Sequence, residues 1–143
     1  MLVWGTVVDD AAPDAEYLMA TLGAGAGSRY HSIYEFAGSA VDGLPGGRRY
    51  RDSIEEYPAD RRHLAVWAAH LTGATVEERA VLTPEIASRL TLTGSTAVVR
   101  ERLAALDESG LTEVVYQPAG PDIERELSAF AASAGLGGQE RDT

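Results

Sequence analysis

Few residues in this chain have both the type and the spacing for chemistry. Gly94-Ser95-Thr96 is the stretch best suited to an anion. Ser95 stands where a helix would begin, and its hydroxyl can accept from the free N–H groups of the first turn. The same N–H groups suit a phosphate or carboxylate. A capped turn with no ligand uses these residues equally well. His31 and Glu35 lie one helical turn apart. They permit a metal contact or a solvated or hydrogen-bonded histidine, although two ligands are too few for a closed metal site and no third lies nearby in sequence. His70 reads by itself as a hydrogen-bonded structural histidine. Gly23-Ala24-Gly25-Ala26-Gly27 invites comparison with a phosphate loop, but it follows a helix and no Lys-Ser/Thr succeeds it. A flexible joint or a glycine-weakened helix start are the other readings. The sequence contains no cysteine, hence no thiolate nucleophile and no disulfide. No catalytic dyad, triad or metal cluster can be assembled.

The elements that must position these residues follow from periodicity. Leu2 to Val8 is apolar and uncharged, as in a buried strand, and Asp9-Asp10 ends it. Pro13 suits a first helical turn; Tyr17, Leu18 and Leu22 mark that helix, and Gly23 ends it. A second helix carries Tyr30, Ile33, Tyr34 and Ala37. Val41 to Arg49 is loop, and Tyr50, Ile54 and Tyr57 mark a short helix stopped by Pro58. Leu64, Trp67 and Leu71 line another, capped by Asp60, with a strand as the competing reading. Thr83-Pro84-Glu85 is a helix start, N-cap then proline. Leu90–Thr93 reads as a strand and Val99, Leu103 and Leu106 as a helix closed by Gly110. Leu111–Gln117 reads as a strand covered on both faces, and the run from Asp122 to Ala134 as a last helix capped by Asp122.

Length and composition describe one domain. The 143 residues carry 12 basic and 22 acidic side chains, for a net charge of −10, which disfavours nucleic acid and anionic membranes as partners. No leader or membrane-length apolar run is visible, so the cytoplasm is the expected compartment.

The run from Thr93 to Asp122, Thr-Gly-Ser-Thr-Ala-Val-Val-Arg through Val-Val-Tyr-Gln-Pro-Ala-Gly-Pro-Asp, resembles the C-terminal end of luciferase-like flavin monooxygenases, in particular the branch that uses the deazaflavin F420. The resemblance extends to Trp4-Gly5-Thr6-Val7-Val8-Asp9-Asp10, similar to a sixth barrel strand and its loop. It implies an α/β fold, the C-terminal part of a (β/α)₈ TIM barrel from about strand 6 to strand 8, with a helical insert. It further implies an F420- or FMN-dependent oxidoreductase or monooxygenase acting on a small molecule. In such barrels the active site lies at the C-terminal ends of the strands, which places Gly94, Ser95, Thr96, Gln117 and Gly120 as cofactor contacts and His70 as a substrate contact. His70 falls where relatives often carry His-Glu-Gly-His; this chain has Trp67-Ala68-Ala69-His70.

On that reading residues 1–136 form a partial barrel and 137–143 a flexible tail. Parallel strands are expected near 2–8, 90–93 and 112–117, with 2–8 and 112–117 as open edges. Leu2, Val3, Val7, Val8, Leu92, Val114, Val115 and Tyr116 would be exposed, favouring a homo-oligomer or association with a complementary N-terminal half. Cofactor binding by this chain alone is expected to be weak, since most of the pocket would belong to other strands. A non-catalytic binding or assembly protein and an inactive truncation product are the competing functions.

Overall fold

The computed structural model describes residues 1–8 and 14–136. The expected stop at Asp9-Asp10, the role of Pro13 and the tail 137–143 lie outside the described residues. The molecule is mostly helical. Among the described residues seven α-helices, α1 (Ala15–Ala37), α2 (Gly47–Glu55), α3 (Arg62–Val66), α4 (Val76–Arg79), α5 (Pro84–Leu90), α6 (Thr96–Glu108) and α7 (Ile123–Ser133), accompany a 3₁₀ turn at Gly38–Gly43 and two short strands, β1 (Leu2–Val3) and β2 (Val115–Tyr116).

The partial-barrel expectation is overturned. The described sheet consists of β1 and β2 alone, parallel, with Leu2 opposite Val115 and Val3 opposite Tyr116. An isolated bridge joins Val7 to Gly94. The order also differs: residues 1–8 run between the other two segments, not at an edge. On one side Leu92 N–H donates to Trp4 O (2.7 Å) and Val8 N–H to Gly94 O (2.9 Å); on the other Gln117 N–H donates to Val3 O (2.9 Å). The expected strand at 90–93 starts too early: α5 runs through Leu90, Thr91 Oγ1 bonds back to Ala87 O (2.8 Å), and the backbone is extended only from Thr91, at φ −123° and ψ 172°. Within 111–117 only two residues pair, and Val115 is exposed. Val7 and Leu92, expected at open faces, are buried against Val99 of α6, with Leu103 and Phe130 closing over them.

The helices that looked like an insert form the main body. Leu22, Ala26 and Tyr30 of α1 pack with Tyr50 and Ile54 of α2 and with Val81, Leu82 and Ala87 around α5. The Tyr30 and Tyr50 rings meet edge to face at 5.5 Å, a preferred aromatic geometry. The two helices expected on either side of the glycine run are one 23-residue helix, begun by the Asp14 side chain accepting from Tyr17 N–H.

Glycine costs helix stability, yet α1 carries three in its middle for reasons of contact. A Cβ on Gly25 would lie 2.5 Å from Trp4, and one on Gly27 2.5 Å from the Glu78 carboxylate. Their absence lets the first segment and α4 approach α1 from different sides. Gly23 differs, because its added Cβ would make only ordinary contacts at 3.7 Å. Gly23→Ala is therefore expected to stabilise the fold by about 0.5–1 kcal/mol. Gly25→Ala and Gly27→Ala should each destabilise it by about 1–3 kcal/mol through overpacking. Thermal melts of the three variants check the opposite signs.

Candidate functional site

Helical geometry puts Gly25 and Arg29 on one face of α1, since residues four apart are neighbours, while Gly27 and His31 occupy the opposite face. Each face borders a separate constellation.

The Gly25 face borders a cleft of about 660 Å³. Its walls are Met1 to Trp4, the turn Leu90–Leu92, and Arg102, Ala105, Leu106 and Ser109 of α6. The lining is mostly apolar, with Trp4 the one large ring, and two guanidinium groups, Arg29 and Arg102, stand in it. Arg29 is exposed and makes no hydrogen bond or ion pair among the described residues. Arg102 is half-buried and donates to two carbonyls, Thr91 O at 2.9 Å and Thr93 O at 3.4 Å. Neither has a carboxylate partner among the described residues, in a chain with 22 acids. The acidic groups instead engage other arginines, as where Arg51 meets Asp42 at 2.8 Å and Glu55 at 3.2 Å. Asp42 is held below the usual carboxylate range by its hydrogen bond from Arg51.

The expected cofactor contacts lie elsewhere and are bound up in the fold. Gly94 bridges Val7. The Ser95 hydroxyl caps α6 by accepting from Val98 N–H, and Thr96 Oγ1 lies 3.5 Å from the Ser133 hydroxyl. Gln117 gives its N–H to Val3, four residues before Val7 along the first segment, so the structure does not draw the 94–96 turn and Gln117 onto one position. Gly120, with φ +96°, packs on α1: a Cβ there would meet Thr21 Oγ1 at 2.4 Å. That close approach leaves no room for a side chain at Gly120 against α1.

His70 belongs to the Gly27 face. Its Nδ1 lies 3.0 Å from His31 Nε2, and His31 Nδ1 lies 3.0 Å from Glu78 Oε1. Glu78 and His31 are buried, whereas His70 is exposed. His31 thus pairs with Glu78 and not with Glu35, the acid one turn away. Glu78 had a sequence signal: Thr75-Val76-Glu77-Glu78 is a capping box, and the structure forms it, with Thr75 N–H donating to Glu78 Oε2 (2.8 Å). Arg29, Arg102 and Trp4 offered none, because their neighbourhood is made by contacts distant in sequence. Among the described residues no group of three or more histidine or acidic side chains is placed to hold a metal ion.

A third polar cluster surrounds Glu126, which has no exposed surface. Its Oε1 accepts from Tyr17 OH (2.5 Å), Thr6 Oγ1 (3.1 Å) and Arg125 Nη1 (2.6 Å), and its Oε2 lies 3.4 Å from Tyr116 OH. Burial first, and the Glu126 charge second, push the Tyr116 hydroxyl well above its ordinary range, and Tyr17 is raised by burial first and its hydrogen bond to Glu126 second.

The chain matches no protein-family model, no curated protein and no solved structure.

The tyrosine shifts set an alkaline limit on stability. A hydroxyl whose folded-state value is raised contributes stability that is complete below the unfolded value of about 10 and is lost as pH climbs through the folded one. The melting temperature is expected to fall above about pH 10. Tyr116→Phe should flatten that fall while lowering stability at pH 7 by about 1 kcal/mol through its lost hydrogen bonds. Melts between pH 7 and 11.5, with tyrosinate absorbance followed in parallel, check both.

Proposed function

We propose that the chain binds an anionic redox cofactor with a flat, largely apolar ring, F420 or FMN, as an oxidoreductase of the luciferase-like type acting on a small molecule. The observation that supports this reading is the cleft beside Gly25, where apolar walls meet two arginines without acidic partners among the described residues. Its size falls within the range of about 300–1,000 Å³ of small-molecule sites, and an apolar lining that includes two arginines suits a ring that carries a phosphate. The earlier expectation of weak binding assumed a pocket shared with further barrel strands, whereas this cleft is built by the chain's own residues. Trp4 and the Leu90–Leu92 turn would flank the ring, and Arg29 and Arg102 would hold the anion. The cofactor, when bound, supplies the hydride chemistry; the protein binds and orients it.

Titration of FMN or F420, followed by cofactor fluorescence, is expected to saturate at micromolar concentrations. Arg29→Gln with Arg102→Gln should weaken binding at least tenfold, about 1.4 kcal/mol. Lumiflavin, which lacks the phosphate, should not respond to the arginines. Absence of saturable binding of both cofactors, or affinity indifferent to both arginines, refutes the assignment.

A second reading, an assembly protein that forms a homo-oligomer, is favoured by the Leu2–Val115 pair. These side chains face each other in register, each about half exposed (50% and 51%), on a sheet whose β2 edge has no further strand among the described residues. Light scattering should then show a dimer or larger species that Val115→Lys converts to a monomer; a wild-type monomer of 15.2 kDa would discard this reading.

A further inference from the structure

We propose that Glu78, His31 and His70 form a proton relay that makes His70 Nε2 a nucleophile at the protein surface, an acyl-accepting site for activated esters. The site is distinct from the cleft, lying on the opposite face of α1, and does not depend on the cofactor reading.

Hydrogen-bond direction fixes the argument. With Glu78 as carboxylate, both its oxygens accept: Oε2 from Thr75 N–H (2.8 Å) and Oε1 from His31 Nδ1–H (3.0 Å). A neutral imidazole has one N–H, so His31 Nε2 carries the lone pair and must accept. Among the described residues the group it meets is His70 Nδ1, 3.0 Å away, which therefore bears its proton. His70 Nε2 is left with the lone pair, on an exposed residue. The carboxylate thus dictates the tautomer of a ring two hydrogen bonds away, as in acid–histidine–nucleophile arrays where a buried acid orients the base.

The surroundings hold the relay in place. The Trp67 ring packs on both imidazoles, with centroids at 4.8 Å from His31 and 4.7 Å from His70. Gly27 admits the Glu78 carboxylate to the face of α1. Leu71, directly after His70, has φ +61°. A bulky non-glycine residue in the left-handed region is strained, and such residues gather at functional sites.

In the step proposed, His70 Nε2 attacks the ester carbonyl, the N–C bond forms and the C–O bond to the leaving group breaks, with its electron pair departing on the phenolate. The acylated ring loses its Nδ1 proton to His31 Nε2 while His31 gives its Nδ1 proton to Glu78 Oε1. The result is a neutral acyl-imidazole and a neutral carboxylic acid. Water then adds to the acyl carbon and the N–C bond breaks, its electron pair staying on His70 Nε2; in the case of an acetyl ester acetate is released, the two protons of the water pass to solvent, and the relay protons return from Glu78 through His31 to His70 Nδ1.

The chain has three histidines, and exposed His63 is an internal control. Long-range ¹⁵N–¹H correlation spectra should show His31 and His70 both as Nδ1–H tautomers, opposite to the Nε2–H form that a solvated neutral imidazole prefers. With 4-nitrophenyl acetate, 4-nitrophenolate release should follow His70: His70→Gln lowers the rate at least tenfold and His63→Gln leaves it unchanged. Glu78→Gln, if folded by its melt, should lower the rate and release the tautomer of His70. The spectra of the wild-type chain test the relay even if that variant does not fold. An Nε2–H tautomer at His70, or ester cleavage that survives His70→Gln, overturns the proposal.

Discussion

A carboxylate with no exposed surface has to be compensated within the protein, and Glu126 sets that condition for the whole molecule. Stripping water from such a group costs several kcal/mol unless hydrogen bonds replace it. The replacements come from Thr6 in the first segment, Tyr17 of α1, Tyr116 of β2 and Arg125 beside it on α7. Three of these four donors lie far from Glu126 in sequence or on another element, so satisfying one side chain draws four parts of the chain together. Arg125 adds a bond to Val7 O and one to Thr6 Oγ1 (2.9 Å), and Tyr116 one to Gly5 O (2.9 Å). The short sheet is therefore held from its side by a polar knot, with only a few ladder bonds along its length.

The same constraint accounts for α1 as a partition. Its first turn supplies Tyr17 to the Glu126 cluster, which fixes the helix against the sheet; its middle then presents one face to the cleft and the other to Glu78. Both approaches are close enough to exclude a Cβ. Cleft and histidine array are thus two sides of one glycine-bearing stretch, and a shift of α1 would disturb both.

Most local signals in the sequence were read well and long-range ones were not; among the local ones, Asp60 does not cap α3, whose N-cap is Arg61 with no side-chain bond, and Gly23 does not end α1. Ser95, Thr83 and Asp122 cap the helices they were expected to cap, since capping is settled within four residues. Gly110 takes φ +90° at the end of α6. The glycine run was misjudged because its meaning lies in what touches it, Trp4 on one side and Glu78 on the other. The strands were misjudged for a related reason: apolar runs such as Leu111–Gln117 satisfy strand propensity, but propensity says nothing of whether a partner ladder continues. Of the candidate site, His70 and His31 were legible as residues and Glu78 only through its capping box; their pairing with one another was not, and the two arginines carried no pattern at all.

The central position of residues 1–8 has a consequence for the order of folding. Met1 O and Val3 O accept from Val115 and Gln117, and Trp4 O from Leu92. The backbone groups of this segment are thus satisfied only by residues far along the sequence. Pairings so distant close slowly, so the helical body, whose contacts are more local, can assemble while Leu2, Val3 and Trp4 still face water, and refolding should end on the docking of this segment.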